Sequence, residues 1–177
     1  MGALLMSLLL LTGMTEWKQW QCEGSPVTDR YVNYAEGFSV AIPAGLQGRR
    51  GQAAGPERGV SIPLSADCVG VVVVFGEPNS LEWATPAVAI NWQIDAAAQT
   101  DLRIALQKYR ARLGSLRAAG VTIRRRETTD VEDIVMTFRP GGGPVYTARL
   151  TTTAARYERD RGWFQKVLRG FRLEAWR

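Results

Sequence analysis

The sequence contains no histidine. This removes the usual general base near neutral pH and the commonest metal ligand. A Ser-His-Asp triad or a Cys-His pair cannot be built from this chain alone. Cysteine is almost as scarce, with only Cys22 and Cys68. These two either pair, if the protein is exported, or remain free thiols in a reducing compartment. The one long apolar run, "MGALLMSLLLLTGM", has fourteen residues. A membrane-spanning helix needs about 20.

That run has the length of a signal-peptide apolar region. No Lys or Arg precedes it, and no A-x-A-like site follows it. "QWQC" lacks the small residues of a lipoprotein site. A start codon placed too far downstream would account for the missing basic residues. The competing reading is a buried or amphipathic N-terminal helix of a cytosolic protein. The expectation is an apolar leader over 1–22 and a single domain over 23–177. Export to the periplasm or the extracellular space is expected, with the cytoplasm as the alternative.

Hydrophobic residues make up 46% and charged residues 22% of the chain, the balance of a folded protein and not of a disordered one. The net charge of +5 is unevenly placed: −4 over residues 1–100 and +9 over 101–177. A basic half suits anionic partners such as nucleic acid, lipid headgroups or an acidic protein. The plainer reading is that spread-out arginines solvate outer faces.

Along the chain, residues 23–34 read as a polar lead-in. Phe38, Val40 and Ile42 alternate with Ser39 and Ala41, a half-buried strand ended by Pro43 and Gly45. Residues 45–59, "GLQGRRGQAAGPERG", read as a long surface loop carrying Arg49, Arg50 and Arg58. "GVSIPL" is a short strand. In "DCVGVVVVFGEP", apolar residues fall on both sides, which implies a central strand covered on both faces. Residues 77–95 read as a connection broken by Pro78 and Pro86, with a short strand at 88–92.

Leu102, Leu106, Tyr109, Leu113 and Leu116 recur at helical spacing and predict a helix over 101–119, capped by Thr100 or Asp101 and ended by Gly120. Three strands follow, "VTIRR", "DIVMTF" and "VYTARLTTT", with "PGGGP" (140–144) as a turn. "RYERDRGWFQKVL" predicts a second helix that buries Phe164, Val167 and Leu168. "GFRLEAW" is a last short strand.

"GFSVAIPAGL" near the front and "ARLTTTAARYERDRGWFQKVLRGFRL" at the back resemble the PsbP-like superfamily. That group includes the extrinsic PsbP subunits of photosystem II, a Ran-binding nuclear-transport factor and many bacterial envelope proteins. The resemblance brackets residues 36–174. It implies an α+β fold, an α/β/α sandwich around a mainly antiparallel sheet with two main helices. It also implies a non-enzymatic assembly or binding role.

Candidate chemistry is thin. Asp130, Glu132 and Asp133 form one tight acidic cluster. They read either as a cation or acid/base pair or, more plainly, as the polar tip of a hairpin. Cys68 beside Asp67 has nothing nearby to activate it. "PGGGP" lacks the Lys-Ser/Thr of a phosphate loop. Arg124, Arg125 and Arg126 on a strand point to alternate faces.

The expected function is therefore binding to an unknown protein or anionic surface, with no cofactor, no metal and no catalytic residue. Arg49, Arg50, Arg58 and Trp83 are the expected contacts, and Cys22 with Cys68 the possible disulfide. The alternative is a cationic module that holds nucleic acid or lipid headgroups with the arginines of 103–126 and 156–169. An enzyme ranks third.

Overall fold

A computed structural model describes residues 22–50, 58–100, 103–126 and 128–175. The expected leader, apart from Cys22, lies outside them, as do the middle of the 45–59 loop, Asp101 and Leu102. Eight strands form one sheet, in the order β1 (Ser25–Val27), β4 (Gly48–Arg50), β5 (Gly59–Pro63), β6 (Val71–Glu77), β10 (Val145–Thr153), β9 (Asp130–Phe138), β8 (Leu116–Arg125), β7 (Ile104–Leu113). Every pairing is antiparallel. The valine-rich segment is β6, in the interior of this sheet as its two-sided apolar pattern requires. Val72 and Val74 enter one core, and Val71 and Val73 pack on the opposite face.

Two helices cover opposite faces. Helix α1 (Pro86–Thr100) packs Ala89, Ile90 and Ala97 against Val121, Ile123, Ile134 and Met136 of β8 and β9. Helix α2 (Tyr157–Gly170) sinks Phe164, Val167 and Leu168 into the larger core on the other side. Among the described residues the fold is α+β, with a mainly antiparallel sheet and two helices.

The first helix is not where the leucine spacing puts it. Residues 104–125 form the β7–β8 hairpin. Leu113 pairs with Leu116 around a two-residue turn, Gly114-Ser115. Gly114 has φ +58, a value helix geometry forbids and a tight hairpin turn with glycine at its first central position requires. On the strand, Tyr109, Ala111 and Leu113 face the core, and Arg110 and Arg112 face away from it. The helical stripe is an accident of two overlapping periods. The stretch expected to be a connection, with a strand at 88–92, is instead α1. Pro86 starts this helix, as proline does at a first helical position. Thr85 Oγ1 accepts the Val88 N–H at 3.3 Å, as an N-cap side chain does.

The lead-in is not all loop: β1 and β2 (Arg30–Asn33) lie within it. Strand β2 joins β3 (Phe38–Ala41) and β11 (Phe171–Leu173) in a separate three-stranded sheet. This small sheet lies on the α2 side, joined through rings. Phe38 sits 5.6 Å from both Tyr146 and Phe171, centroid to centroid, and Tyr146 lies 5.2 Å from Phe171. All three are almost fully buried, each stabilising by roughly 1.5–3 kcal/mol.

Candidate functional site

Asp133 does not lie at a hairpin tip. It sits within β9 on the face turned to α2, and it is fully buried. Its neighbours on that face are Val131 and Val135, which follow from the period of two along a strand. A buried carboxylate needs donors. Tyr157, the first residue of α2, donates its hydroxyl to Asp133 Oδ2 at 2.9 Å. Tyr109 of β7 donates to Oδ1. Thr122 Oγ1 stands 3.3 Å from the Tyr157 hydroxyl and completes a chain of polar side chains within the core.

Burial pushes the Asp133 pKa up. The tyrosine hydrogen bonds, with Arg161 and Arg124 beyond them, oppose this without cancelling it. Burial, then the Asp133 charge, pushes the Tyr109 hydroxyl far above the usual phenol range, so it remains a donor. The Arg124 guanidinium lies 4.5 Å from the Tyr157 ring centroid, and that of Arg161 lies 5.8 Å from it. Glu132, on the opposite face, binds Arg125 at 3.0 Å. The acidic run is thus split by strand alternation: Asp130 and Glu132 fall on one face of β9 and Asp133 on the other. Among the described residues, no group of acids, histidines and cysteines is placed to hold a metal ion.

Above this buried network runs an open groove of about 900 Å³ between β7 and α2. Tyr109 lies against it from β7, flanked by Arg110 and Arg112; Glu158, Arg161 and Arg169 face it from α2. With Gln165 between Arg161 and Arg169, these helix residues recur at spacings of three, four and four and so share one face. All four arginines are exposed. The +9 charge of the C-terminal half is here partly gathered in space. The arginines come from the two segments, 103–126 and 156–169, that are far apart in the chain.

The residues expected as contacts are elsewhere, and they are not together. Arg50 lies on β4 with its guanidinium 5.4 Å from the Tyr31 ring centroid. Arg49, its neighbour, projects to the other face and lines a second groove beside Cys22 and Cys68. Arg58 is exposed just before β5, where its charge acts on Glu36 and Glu77. Trp83 is half-buried on the α1 side, 5.7 Å from Trp92. The Asn79 side chain bonds both its backbone N–H and its C=O at 3.0 Å.

Cys22 and Cys68 form a disulfide with 6.1 Å between Cα atoms. The Cys68 loop is further fixed by Asp67. Its carboxylate accepts two bonds from the Arg156 guanidinium, at 2.9 and 2.7 Å, and one from Ser65 at 2.6 Å. These hold its pKa far below the usual carboxylate range. Residue 156 immediately precedes α2, so one loop binds both the N-terminal segment and the helix.

No family model matches the chain, and no curated protein does. Solved structures do. Cyanobacterial PsbP from Synechocystis sp. PCC 6803 matches with a TM-score of 0.56 and 16% identity, over 85% of this chain and 94% of that one. The Ran-binding protein Mog1p of Saccharomyces cerevisiae matches with a TM-score of 0.55 and 9% identity, over 84% and 96%. A Bacteroides thetaiotaomicron protein matches with a TM-score of 0.52 and 10% identity, over 84% of this chain and 49% of its own. The chain has the PsbP-like fold shared by PsbP and Mog1p. At these identities the likeness is one of fold.

Proposed function

We propose that this chain is an exported accessory domain that works by binding and not by catalysis, with the arginine-lined groove between β7 and α2 as its contact surface. The carrying observation is how the acid and the arginines are used. Both Asp133 oxygens are taken up by tyrosine hydroxyls inside the core, so the carboxylate is committed to structure. The four groove arginines face solvent. The fold supports this, since one protein that shares it is a Ran-binding protein. The Cys22–Cys68 disulfide supports export, because such bonds persist in oxidising compartments. The nucleic-acid alternative is less well served. Tyr109, the aromatic residue of the groove, turns its hydroxyl inward to Asp133 and offers no stacking platform.

The test places a photo-crosslinking residue at Arg110, and separately at exposed Arg172 on β11, in cells that make the protein. Adducts specific to position 110, in an envelope or secreted fraction with no thiol alkylation before reduction, are expected. Equal labelling at both positions, or none, would overturn the binding assignment. Free thiols in a cytosolic fraction would overturn export.

A further inference from the structure

Strand β7 ends the eight-stranded sheet. Strand β8 pairs with it over ten residues, and among the described residues no strand pairs with its other side. An edge of this length presents a row of backbone N–H and C=O groups ready to pair with another chain. Six of its ten residues are exposed, and the groove lies along its second half.

Charge decides what can lie there. Lys108, Arg110 and Arg112 alternate along one face of β7. Arg161 and Arg169 of α2 approach the same groove. A strand added to the β7 edge would therefore meet cations on both of its faces. A second copy of this edge would bring like charges together, which disfavours self-pairing. An extended segment rich in Asp and Glu would meet arginine forks that suit carboxylates, and its backbone would satisfy the open edge.

We infer that the β7 edge and its groove accept an extended acidic segment of a partner protein as an added antiparallel or parallel strand. This rests on the binding role proposed above and specifies the partner's chemistry.

The probe is a fluorescent ten-residue peptide with six glutamates among valines and threonines, followed by anisotropy against the full chain. Its comparators are the same peptide with alternate backbone amides N-methylated, a lysine-for-glutamate version, and a ten-nucleotide oligothymidine. The acidic peptide is expected to bind. N-methylation should weaken it by about tenfold, as should Arg110→Glu/Arg169→Glu, two exposed positions outside the buried network. Hydrogen exchange at β7 amides should slow on binding. The inference fails if the acidic peptide does not bind. It also fails if the N-methylated peptide or the oligonucleotide binds equally well, since charge alone would then explain the attraction. Crosslinking at Arg110 in cells without peptide binding would remove the added strand and leave the binding role standing. Absence of crosslinks would remove the role itself.

Discussion

Tyr109 reaches across β8 to Asp133, two strands away in the sheet and 24 residues on in the chain. Its ring can do so because Gly120 lies opposite it on β8. A Cβ at position 120 would stand 2.5 Å from two of the ring carbons. The glycine is thus the space in which the tyrosine lies, and the hydrogen bond depends on a side chain that is absent.

Gly120→Ala should displace the ring and break the bond, costing about 2–4 kcal/mol through overpacking and a weakened buried carboxylate. Gly162, on the exposed side of α2, is different: a Cβ added there would meet nothing within 4 Å. Gly162→Ala should stabilise by roughly 0.5–1 kcal/mol. Urea unfolding of both variants checks the pair. Equal effects at the two positions would refute the reading of Gly120.

Tyr109→Phe keeps the ring and removes the donor. Asp133 then keeps the Tyr157 hydroxyl as its partner at 2.9 Å. The loss should be about 1–3 kcal/mol, and the Asp133 pKa should rise further, because the lost bond was one of those opposing burial. A carboxyl resonance of Asp133 that titrates at an unchanged pH in the variant would contradict this.

The raised pKa of Asp133 sets the sign of a pH effect. The native state binds this proton more tightly than the unfolded chain does. The stability it contributes is fully present below the unfolded carboxyl range and is lost as pH rises through the folded value. Asp133→Asn does not titrate. The stability of the natural protein relative to the variant should therefore fall between acid and neutral pH. A difference that is flat with pH, measured by chemical unfolding at several values, would show that the carboxyl is not perturbed.

Asp67 carries the opposite sign. Its pKa is depressed by Arg156 and Ser65, so its contribution is present above the unfolded carboxyl value and is lost as pH falls. Asp67→Asn should flatten part of the acid limb of the stability curve. The nearby disulfide closes a loop with a sequence separation of 46 residues. Replacing both cysteines by alanine should cost about 2–4 kcal/mol. Identical acid limbs, or an unchanged unfolding midpoint without the disulfide, would count against the role given to this loop.

Much of the architecture is legible in the sequence because its signals are local. β6 shows apolar residues on both sides, β9 and β10 alternate around "PGGGP", and α2 has one apolar stripe. The β7–β8 hairpin is hidden because Leu106, Tyr109, Leu113 and Leu116 also satisfy helical spacing. The discriminating signal is the "LGSL" turn, where a mid-helix glycine would cost about 1 kcal/mol. Thr85-Pro86 marks the start of α1, but a proline reads as a breaker as readily as a first helical residue. Asp133 looks like a surface acid because its burial depends on Tyr109 and Tyr157, which only the folded chain brings to it. The basic segments foreshadow the groove but not its place, which requires β7 to be a strand and not a helix.

The small sheet is held at one end by Arg139, which follows β9. Its guanidinium donates to the carbonyl of Gly37 at 3.1 Å, to the Tyr146 hydroxyl at 3.2 Å and to the carbonyl of Glu174 at 3.0 Å. Gly37 precedes β3 and Glu174 follows β11, so one side chain clasps two strands of the small sheet against the large one. The Tyr146 hydroxyl continues to the Glu36 carbonyl at 2.8 Å. Arg139→Ala should cost about 1.5–3 kcal/mol, the scale of hydrogen bonds made by a charged donor. Arg139→Lys should recover little, because a single ammonium lacks the planar fork that reaches three acceptors at once. The loss should also be local. Amides of β3 and β11 should exchange faster, while those of β9 and β10 within the large sheet keep their protection. A uniform rise in exchange across both sheets would mean that the arginine supports the whole fold and not this junction. Full rescue by lysine would mean that its charge matters and its geometry does not.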